Sequence, residues 1–323
     1  MSKSTREIEN FVFSLSPDEF SDLQRIVNKR IDFDLYGFTP FEEAAEHYGR
    51  KPVCPKCGSL NWHSDGFTPA HHKRFKCEDC EESYILLSNS IFNSAKIPFH
   101  KLAKYISLMS LNVPLATCCE VLGIASNTAE LWCKKIFATV ENYQKHLVLR
   151  GRVWIDETYI EDYSLSPLMT KKHPRGLSHR KICIVVAIDS RKKMVAVLSG
   201  HGKPSARRIR KALLSHIERG STIVHDGEKG HNELIEALNC TSAVYKSEDK
   251  SEETLRHMAM VNNMCAWVKR YLRRFIGMDL NNLQSYLNWF IYLQRVKCDS
   301  EKWPKNERIL RHLVLSNIKR VRK

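Results

Sequence analysis

The sequence predicts an α/β protein in which a small metal-knotted module and a helical segment precede a domain built on a sheet. Three observations predict it. Two CxxC pairs, Cys54/Cys57 and Cys77/Cys80, lie in the N-terminal third. Helical periodicity dominates residues 98–138. From residue 151 the pattern changes to β-branched runs, first in succession and then alternating with helices.

A chain of 323 residues has room for two or three domains of roughly 100–200 residues each. Its 43% hydrophobic and 27% charged residues are those of an ordinary globular protein. Lys plus Arg number 51 against 36 Asp plus Glu, a formal net charge of +15. That excess favours a polyanionic partner, because each phosphate contact releases condensed counterions. No apolar run reaches the ~18 residues of a spanning helix, and MSKSTREIENFVFSL lacks the apolar centre of a secretion signal. The expectation is a cytoplasmic protein that associates with nucleic acid and not with a membrane. Eleven cysteines would suit a disulfide scaffold only in a short secreted chain. Outside the two CxxC pairs they are scattered through apolar stretches and read as small buried hydrophobes.

Residues 1–50 read as an N-terminal helical segment of two amphipathic helices. One opens at Ser16-Pro17-Asp18-Glu19, with serine as N-cap, proline in the first turn and glutamate in the reciprocal position. The other runs around Pro40–Tyr48. Residues 51–97 form the cysteine module, its short aromatic and polar stretches suggesting β-hairpins. In residues 98–145, Leu102, Tyr105, Ile106 and Met109 recur at helical spacing, and a short helix spans Leu115–Leu122. Gly123 then supplies a turn, Ser126 and Asn127 supply caps, and Glu130 fits the reciprocal capping position for Asn127 at the start of a third helix. This succession predicts a helix-turn-helix-like module. Residues 146–298 carry strands at Arg152–Ile160, Lys181–Asp189 and Met194–Ser199, a helix at Pro204–Arg219 and a strand at Thr222–His225. A helix at His231–Leu238, a strand at Ala243–Tyr245 and a long helix from Glu252 complete them. Three successive strands followed by helix–strand alternation is the order of an RNase H-like sheet. Residues 299–323 form a basic tail, with a terminal helix that could touch DNA or a second subunit.

Cys54-Pro-Lys-Cys57 and Cys77-Glu-Asp-Cys80 flank residues 58–76. Two knuckles at this separation place four thiolates around one tetrahedral Zn²⁺, with Gly58 in the tight turn. Four cysteines leave no open position, so the zinc is structural, as in a zinc ribbon. His63, His71 and His72 could substitute as ligands but are read as solvated or facing DNA. Lys73, Arg74 and Lys76 could grip phosphates or simply form a charged face.

The sharpest chemical signal lies further on. Asp156 and Glu157 interrupt the apolar strand Val-Trp-Ile-Asp-Glu-Thr-Tyr, and strand alternation points them to opposite faces. Asp226 ends a second apolar strand in Ile-Val-His-Asp-Gly. A carboxylate on a buried strand is costly unless paired or bound to metal. Two strand-end aspartates on neighbouring parallel strands can share a pair of Mg²⁺ ions. His225 is read as a packed strand residue rather than a base.

IDETY, HDG and the segment VNNMCAWVKRYLRRFIGMDLNNLQSYLNWF resemble the DDE-type insertion-sequence transposases of the zinc-ribbon, ISXO-like group. That pattern is two aspartates, then Glu or Asn, then Lys seven residues later; Asn262 and Lys269 have the separation, and i and i+7 share a helix face. The resemblance spans about residues 50–297. It implies that Asp156, Asp226 and Asn262 hold two Mg²⁺ or Mn²⁺ ions and that Lys269 contacts phosphate beside the reacting centre. Glu252 or Glu253 is an alternative third ligand, since an amide is a weaker donor. It implies, too, a transposase that binds terminal inverted repeats and joins them to target DNA as a homodimer or larger oligomer.

Further basic clusters lie at Lys171, Lys172, Arg175, Arg180 and Lys181, at Arg207, Arg208, Arg210 and Lys211, and at Lys269, Arg270, Arg273 and Arg274. They support a DNA track, while Tyr286, Trp289 and Phe290 read as packing residues. Two other functions fit the same residues: a catalytically inactive zinc-ribbon DNA-binding regulator, and an RNase H-like nuclease that never joins strands.

Overall fold

The computed structural model describes residues 5–37, 41–162, 181–246, 248–275, 278–298 and 304–318. Lys171, Lys172, Arg175 and Arg180, and the ends of the basic tail, lie outside the described residues. Contacts group the chain into two units: Met1–Leu111 with Cys118–Ala125 and Asn306–Lys323, and Asn112–Thr117 with Ser126–Lys305. No helix among the described residues is long and apolar enough to cross a membrane.

The first unit begins with α1 (Thr5–Ser14), α2 (Pro17–Tyr36) and α3 (Phe41–His47). The expected capping box is present: the Ser16 amide donates to Glu19 Oε2 at 2.9 Å and the Glu19 amide to Ser16 Oγ at 3.4 Å. Where two helices were expected there are three, because Ser16-Pro17 restarts the chain after a first helix with no buried residue. A three-stranded antiparallel sheet follows, β1 (Trp62–Phe67), β2 (Lys73–Cys77) and β3 (Ser83–Ile85). Next comes α4 (Phe99–Ser110), whose N-terminus has Pro98 as N-cap and no local side-chain cap. Buried Asp32 of α2 serves instead, accepting from the Phe99 amide at 3.1 Å, the His100 amide at 2.7 Å and His100 Nδ1 at 2.6 Å. The C-terminal segment belongs to this unit through α11 (Lys305–Leu315), which buries Ile309, Leu310, Leu313 and Val314. Arg50 fastens it: its guanidinium donates to Leu86 O, Val314 O, Ser316 O, Asn89 Oδ1 and Asn317 Oδ1 at 2.7–3.1 Å. Burial lowers its pKa to about 10, which still leaves it charged.

The helix α5 (Leu115–Leu122) and the helix α6 (Ser126–Ala138) are separated by Gly123 at φ +58°. Because α6 starts at Ser126, Asn127 lies inside the helix and is not the cap that its spacing from Glu130 suggests.

The second unit is built on a five-stranded sheet of β4 (Arg152–Glu161), β5 (Lys181–Asp189), β6 (Met194–His201), β7 (Thr222–His225) and β8 (Thr241–Val244). The order is β6-β5-β4-β7-β8, with β4, β5 and β6 antiparallel in sequence and β7 and β8 parallel to β4. The fold is therefore mixed α/β, and the strand succession legible in the sequence becomes the order of the sheet. One face is covered by α7 (Ala206–Leu213) and α8 (Asn232–Ala237), burying Val153, Ile155, Val185, Ile209, Leu213 and Leu234. Both helices are shorter than expected: α7 ends once its apolar residues have met the sheet, and a 3₁₀ turn at Lys229–His231 precedes α8. On the other side lie α9 (Glu252–Leu272) and α10 (Leu283–Cys298). Trp154 of β4 donates its indole N–H to His257 O of α9 at 2.6 Å. Gln284 of α10 donates to Ala196 O of β6 at 3.2 Å and accepts from the Leu198 amide at 2.9 Å. Trp289 and Phe290 are buried, in keeping with a packing role.

Candidate functional site

In the first unit, the two CxxC turns bring Cys54 Sγ to 3.5 Å from Cys80 Sγ and Cys57 Sγ to 3.6 Å from Cys77 Sγ. Tetrahedral zinc with bonds of about 2.3 Å requires sulfurs roughly 3.8 Å apart, so the cluster matches its needs. Gly58 sits at φ +77° and its amide donates to Cys54 O at 3.0 Å, closing the first knuckle. Burial works to raise the Cys54 thiol, but N–H groups of Cys57 and Lys56 outweigh it and bring the pKa down to about 7. The histidines point elsewhere: His63 pairs with Glu78 at 3.6 Å and His72 with Glu42 at 3.0 Å. Of the nearby cations, Arg74 is held by Asp65 at 2.8 Å, while Lys73 lies over the Phe75 ring.

In the second unit, the parallel ladder pairs Arg152 with Thr222, Val153 with Ile223 and Trp154 with Val224. Each pair differs by 70 positions, and the same offset sets Asp156 opposite Asp226, one residue past the end of β7. Ile155 belongs to the core under α7 and α8, so alternation turns Asp156 to the face covered by α9, while Asp226, beyond the strand end, also comes within 3.9 Å of His231 Nδ1. Cys265 of α9 meets Asp156 on the α9 face, Sγ to Oδ2 at 3.6 Å. Asp156 Oδ1 accepts from the Glu157 amide at 2.8 Å, and Asp226 Oδ1 from the Glu228 amide at 3.0 Å. Burial pushes the Asp156 carboxyl up to about 6; the carboxylates of Glu157 and Asp226 add to this against the Glu157 N–H. Such an edge of converging carboxylates attracts a cation.

Asn262 and Lys269 are exposed on α9, on either side of buried Cys265 in sequence. The charge of Lys269 reaches Cys265, opposing the rise in thiol pKa that burial imposes. Glu252 and Glu253 begin α9, 81% and 80% exposed. Glu253 and Cys265 are twelve positions apart, about 18 Å of helix at ~1.5 Å per residue, which places this alternative away from the aspartates.

The opposite face of the same strands holds a second polar chain that the sequence reading did not assemble. His231 Nε2 lies 3.0 Å from Glu157 Oε1, His231 Nδ1 lies 2.9 Å from His225 Nδ1, and His225 Nε2 lies 2.9 Å from Ser242 Oγ. His225 is buried, and burial followed by the neighbouring His231 lowers its pKa to about 4, so it is neutral near pH 7. The signal for this chain was the spacing His225-Asp226-Gly227 to His231, which a reading of His231 as a helix start passes over.

Beside α9, a cavity of about 310 Å³ is lined by Trp267, Arg270, Arg274 and, from α10, Phe290, Gln294 and Lys297. Three cations and a partly exposed tryptophan make it an electropositive surface suited to phosphates. On α7, Arg210 is paired with Glu233 at 3.2 Å and Arg208 donates to His201 O at 3.0 Å, whereas Arg207 and Lys211 are exposed.

Residues 148–294 match the family described as the ISXO2-like transposase domain. That segment contains Asp156, Asp226, Asn262 and Lys269. No curated protein sequence matches the chain. Among solved structures, the simian T-cell lymphotropic virus intasome in complex with PP2A regulatory subunit B56 gamma shares 11% identity over 62% of this chain and 76% of that one, with a TM-score of 0.32. The Mos1 strand transfer complex shares 15% identity over 62% and 79%, with a TM-score of 0.23. The Mos1 mariner paired end complex with Mn shares 16% over 60% and 75%, with a TM-score of 0.22.

Proposed function

We propose that this chain, whose residues 148–294 belong to the ISXO2-like transposase domain family, is a DNA transposase that cuts terminal inverted repeats and joins them to target DNA. One observation carries the proposal. Within that domain, the β4–β7 register carries Asp156 of β4 toward Asp226, one residue past the end of β7, and burial and carboxylate repulsion raise the Asp156 pKa to about 6. The order β6-β5-β4-β7-β8 supports an RNase H-like reading of the domain.

The donor set fits Mg²⁺ or Mn²⁺: two carboxylates at a partly open edge offer hard oxygens, and the ions relieve their mutual repulsion. When bound, a pair of divalent ions supplies an activated nucleophile and a stabilised leaving oxygen for in-line displacement at phosphorus. Asp156 and Asp226 would hold the ions, and Asn262 would add its amide oxygen from α9. Lys269, on the same helix, sets a positive charge toward the phosphate and counters charge that develops in the transition state. Arg270, Arg274 and Lys297 carry the flanking strand. The zinc ribbon on Cys54, Cys57, Cys77 and Cys80 and the helix-turn-helix-like segment at α5 and α6 recognise the repeat, and two copies pair the two ends.

A strand-transfer assay on the inverted repeats flanking the gene, with Mg²⁺ or Mn²⁺, tests this reading. Joined products from wild type, lost in Asp156→Asn, are expected; a fall in Asn262→Ala places that residue in the metal site. Nicked but never joined DNA would make the protein a nuclease. Tight end binding without cleavage in either metal would make it a regulator.

A further inference from the structure

The histidine chain behind the aspartates has the geometry of a metal site with a different donor set. We propose that His225 Nδ1, His231 Nδ1 and a carboxylate oxygen of Asp226 form a second transition-metal site, suited to Zn²⁺. The three donor atoms lie within 4.8 Å of one another. His225 Nδ1 and His231 Nδ1 are 2.9 Å apart, and His231 Nδ1 is 3.9 Å from Asp226 Oδ1. A tetrahedral ion with bonds of about 2.0–2.1 Å requires ligand atoms roughly 3.3 Å apart. The two distances bracket that value, and shifts of about half an ångström seat the ion.

The outer nitrogens fix which lone pairs point inward. Glu157 accepts from His231 Nε2 at 3.0 Å, and Ser242 Oγ lies 2.9 Å from His225 Nε2. An ion would take the place of the proton shared by the two Nδ1 atoms, and with each Nε2 then donating outward both Nδ1 lone pairs would be free to ligate. A ligating imidazole whose far nitrogen is tied to a carboxylate or hydroxyl is the usual outer arrangement of such sites. The Gly227 amide, 3.3 Å from His225 Nδ1, makes a long bond that an ion would displace.

The rest of the loop holds the donors in place. Both rings are 1% exposed. Gly227 turns the chain at φ +87°, and a Cβ there would come within 2.9 Å of Val244 Cγ1, so only glycine fits. The Asp226 side chain, 31% exposed, leaves an entrance for the ion and its fourth ligand. Imidazole donors favour Zn²⁺ over Mg²⁺, which takes oxygen. Because Asp226 also belongs to the proposed Mg²⁺ pair, zinc here contends for the same carboxylate.

Zinc content tests the site without any assay of DNA joining, so failure here is separate from failure of the transposase reading. Full-length protein is equilibrated with buffered Zn²⁺ and its bound metal counted by mass spectrometry. Two zinc ions per chain are expected for wild type: one in the ribbon and one at His225, Asp226 and His231. Asp226→Asn and His231→Gln should each retain only the ribbon ion, and Glu157→Gln should weaken the second ion about 10–100-fold. Asp156→Asn, which alters only the proposed Mg²⁺ pair, should retain both zinc ions, and loss of the second ion in that variant would overturn the proposal by placing the zinc between the aspartates. One zinc in wild type would overturn the proposal and leave the two histidines sharing a proton. Two ions that persist in both ligand variants would overturn it as well.

Discussion

Replacing Asp156 by asparagine should stabilise the magnesium-free protein at neutral and alkaline pH, although it removes a carboxylate that the proposed mechanism assigns to metal binding. The Asp156 pKa rises from 3.8 to about 6 on folding, chiefly through burial, with Glu157 and Asp226 adding repulsion. A raised carboxyl pKa means that the folded state binds the proton more tightly. The associated stability is fully present below pH ~4 and is lost as pH rises through about 6. About two pKa units at ~1.4 kcal/mol each amount to about 3 kcal/mol above that range. The asparagine side chain never ionises and escapes this cost. At pH 8, without Mg²⁺ and with ribbon zinc retained, Asp156→Asn should melt roughly 6–12 °C above wild type, taking ~2–4 °C per kcal/mol for a unit of 150–250 residues. The gap should close as pH falls toward 4, and effects on the ribbon cancel between the two proteins. Mg²⁺ should also narrow it by stabilising wild type alone. A variant less stable than wild type at pH 8, or a gap independent of pH, would refute the electrostatic argument.

Asp32→Ala strands the first N–H groups of α4 and the His100 ring. Loss of bonds to a buried charged acceptor should cost about 2–4 kcal/mol, read by denaturant unfolding of the first unit. Cys54→Ser should abolish zinc retention in the ribbon while the five-stranded unit keeps its own melting transition; loss of both transitions together would contradict two separately cored units. Arg270→Ala with Lys297→Ala should weaken DNA binding to a similar extent for all sequences and lower the salt slope by about 0.9 per lost phosphate contact. An unchanged slope would remove the α9–α10 cavity from the DNA track.

The parts of this molecule that were legible in its sequence are those set by short-range rules. CxxC turns close on themselves, so four cysteines converge whatever surrounds them. Ser16 and Glu19 cap one another across a single turn. Period-two alternation fixes which face a strand residue takes, so the separation of Asp156 from Glu157 could be read in advance. The failures have equally physical causes. The Asp32 cap joins residues far apart in sequence, and only the packing of α2 on α4 creates it. His231 meets His225 and Glu157 because a glycine turn brings it back beside its own strand, a closure invisible to helical periodicity. Cys265 is one apolar position among several on α9 until packing sets its sulfur against Asp156. The basic composition of the C-terminal tail drew attention from Ile309, Leu310, Leu313 and Val314, whose helical spacing marks a buried face.

Metal rescue tests most directly whether the paired aspartates hold the ions that carry out strand transfer. Asp156→Cys and Asp226→Cys replace a hard oxygen by a thiolate, which Mn²⁺ tolerates better than Mg²⁺. The account predicts that both variants lose joining in Mg²⁺ and regain a measurable part of it in Mn²⁺, while wild type works in either metal. Full activity of either variant in Mg²⁺, or equal and complete loss in both metals by variants that remain folded, would contradict it.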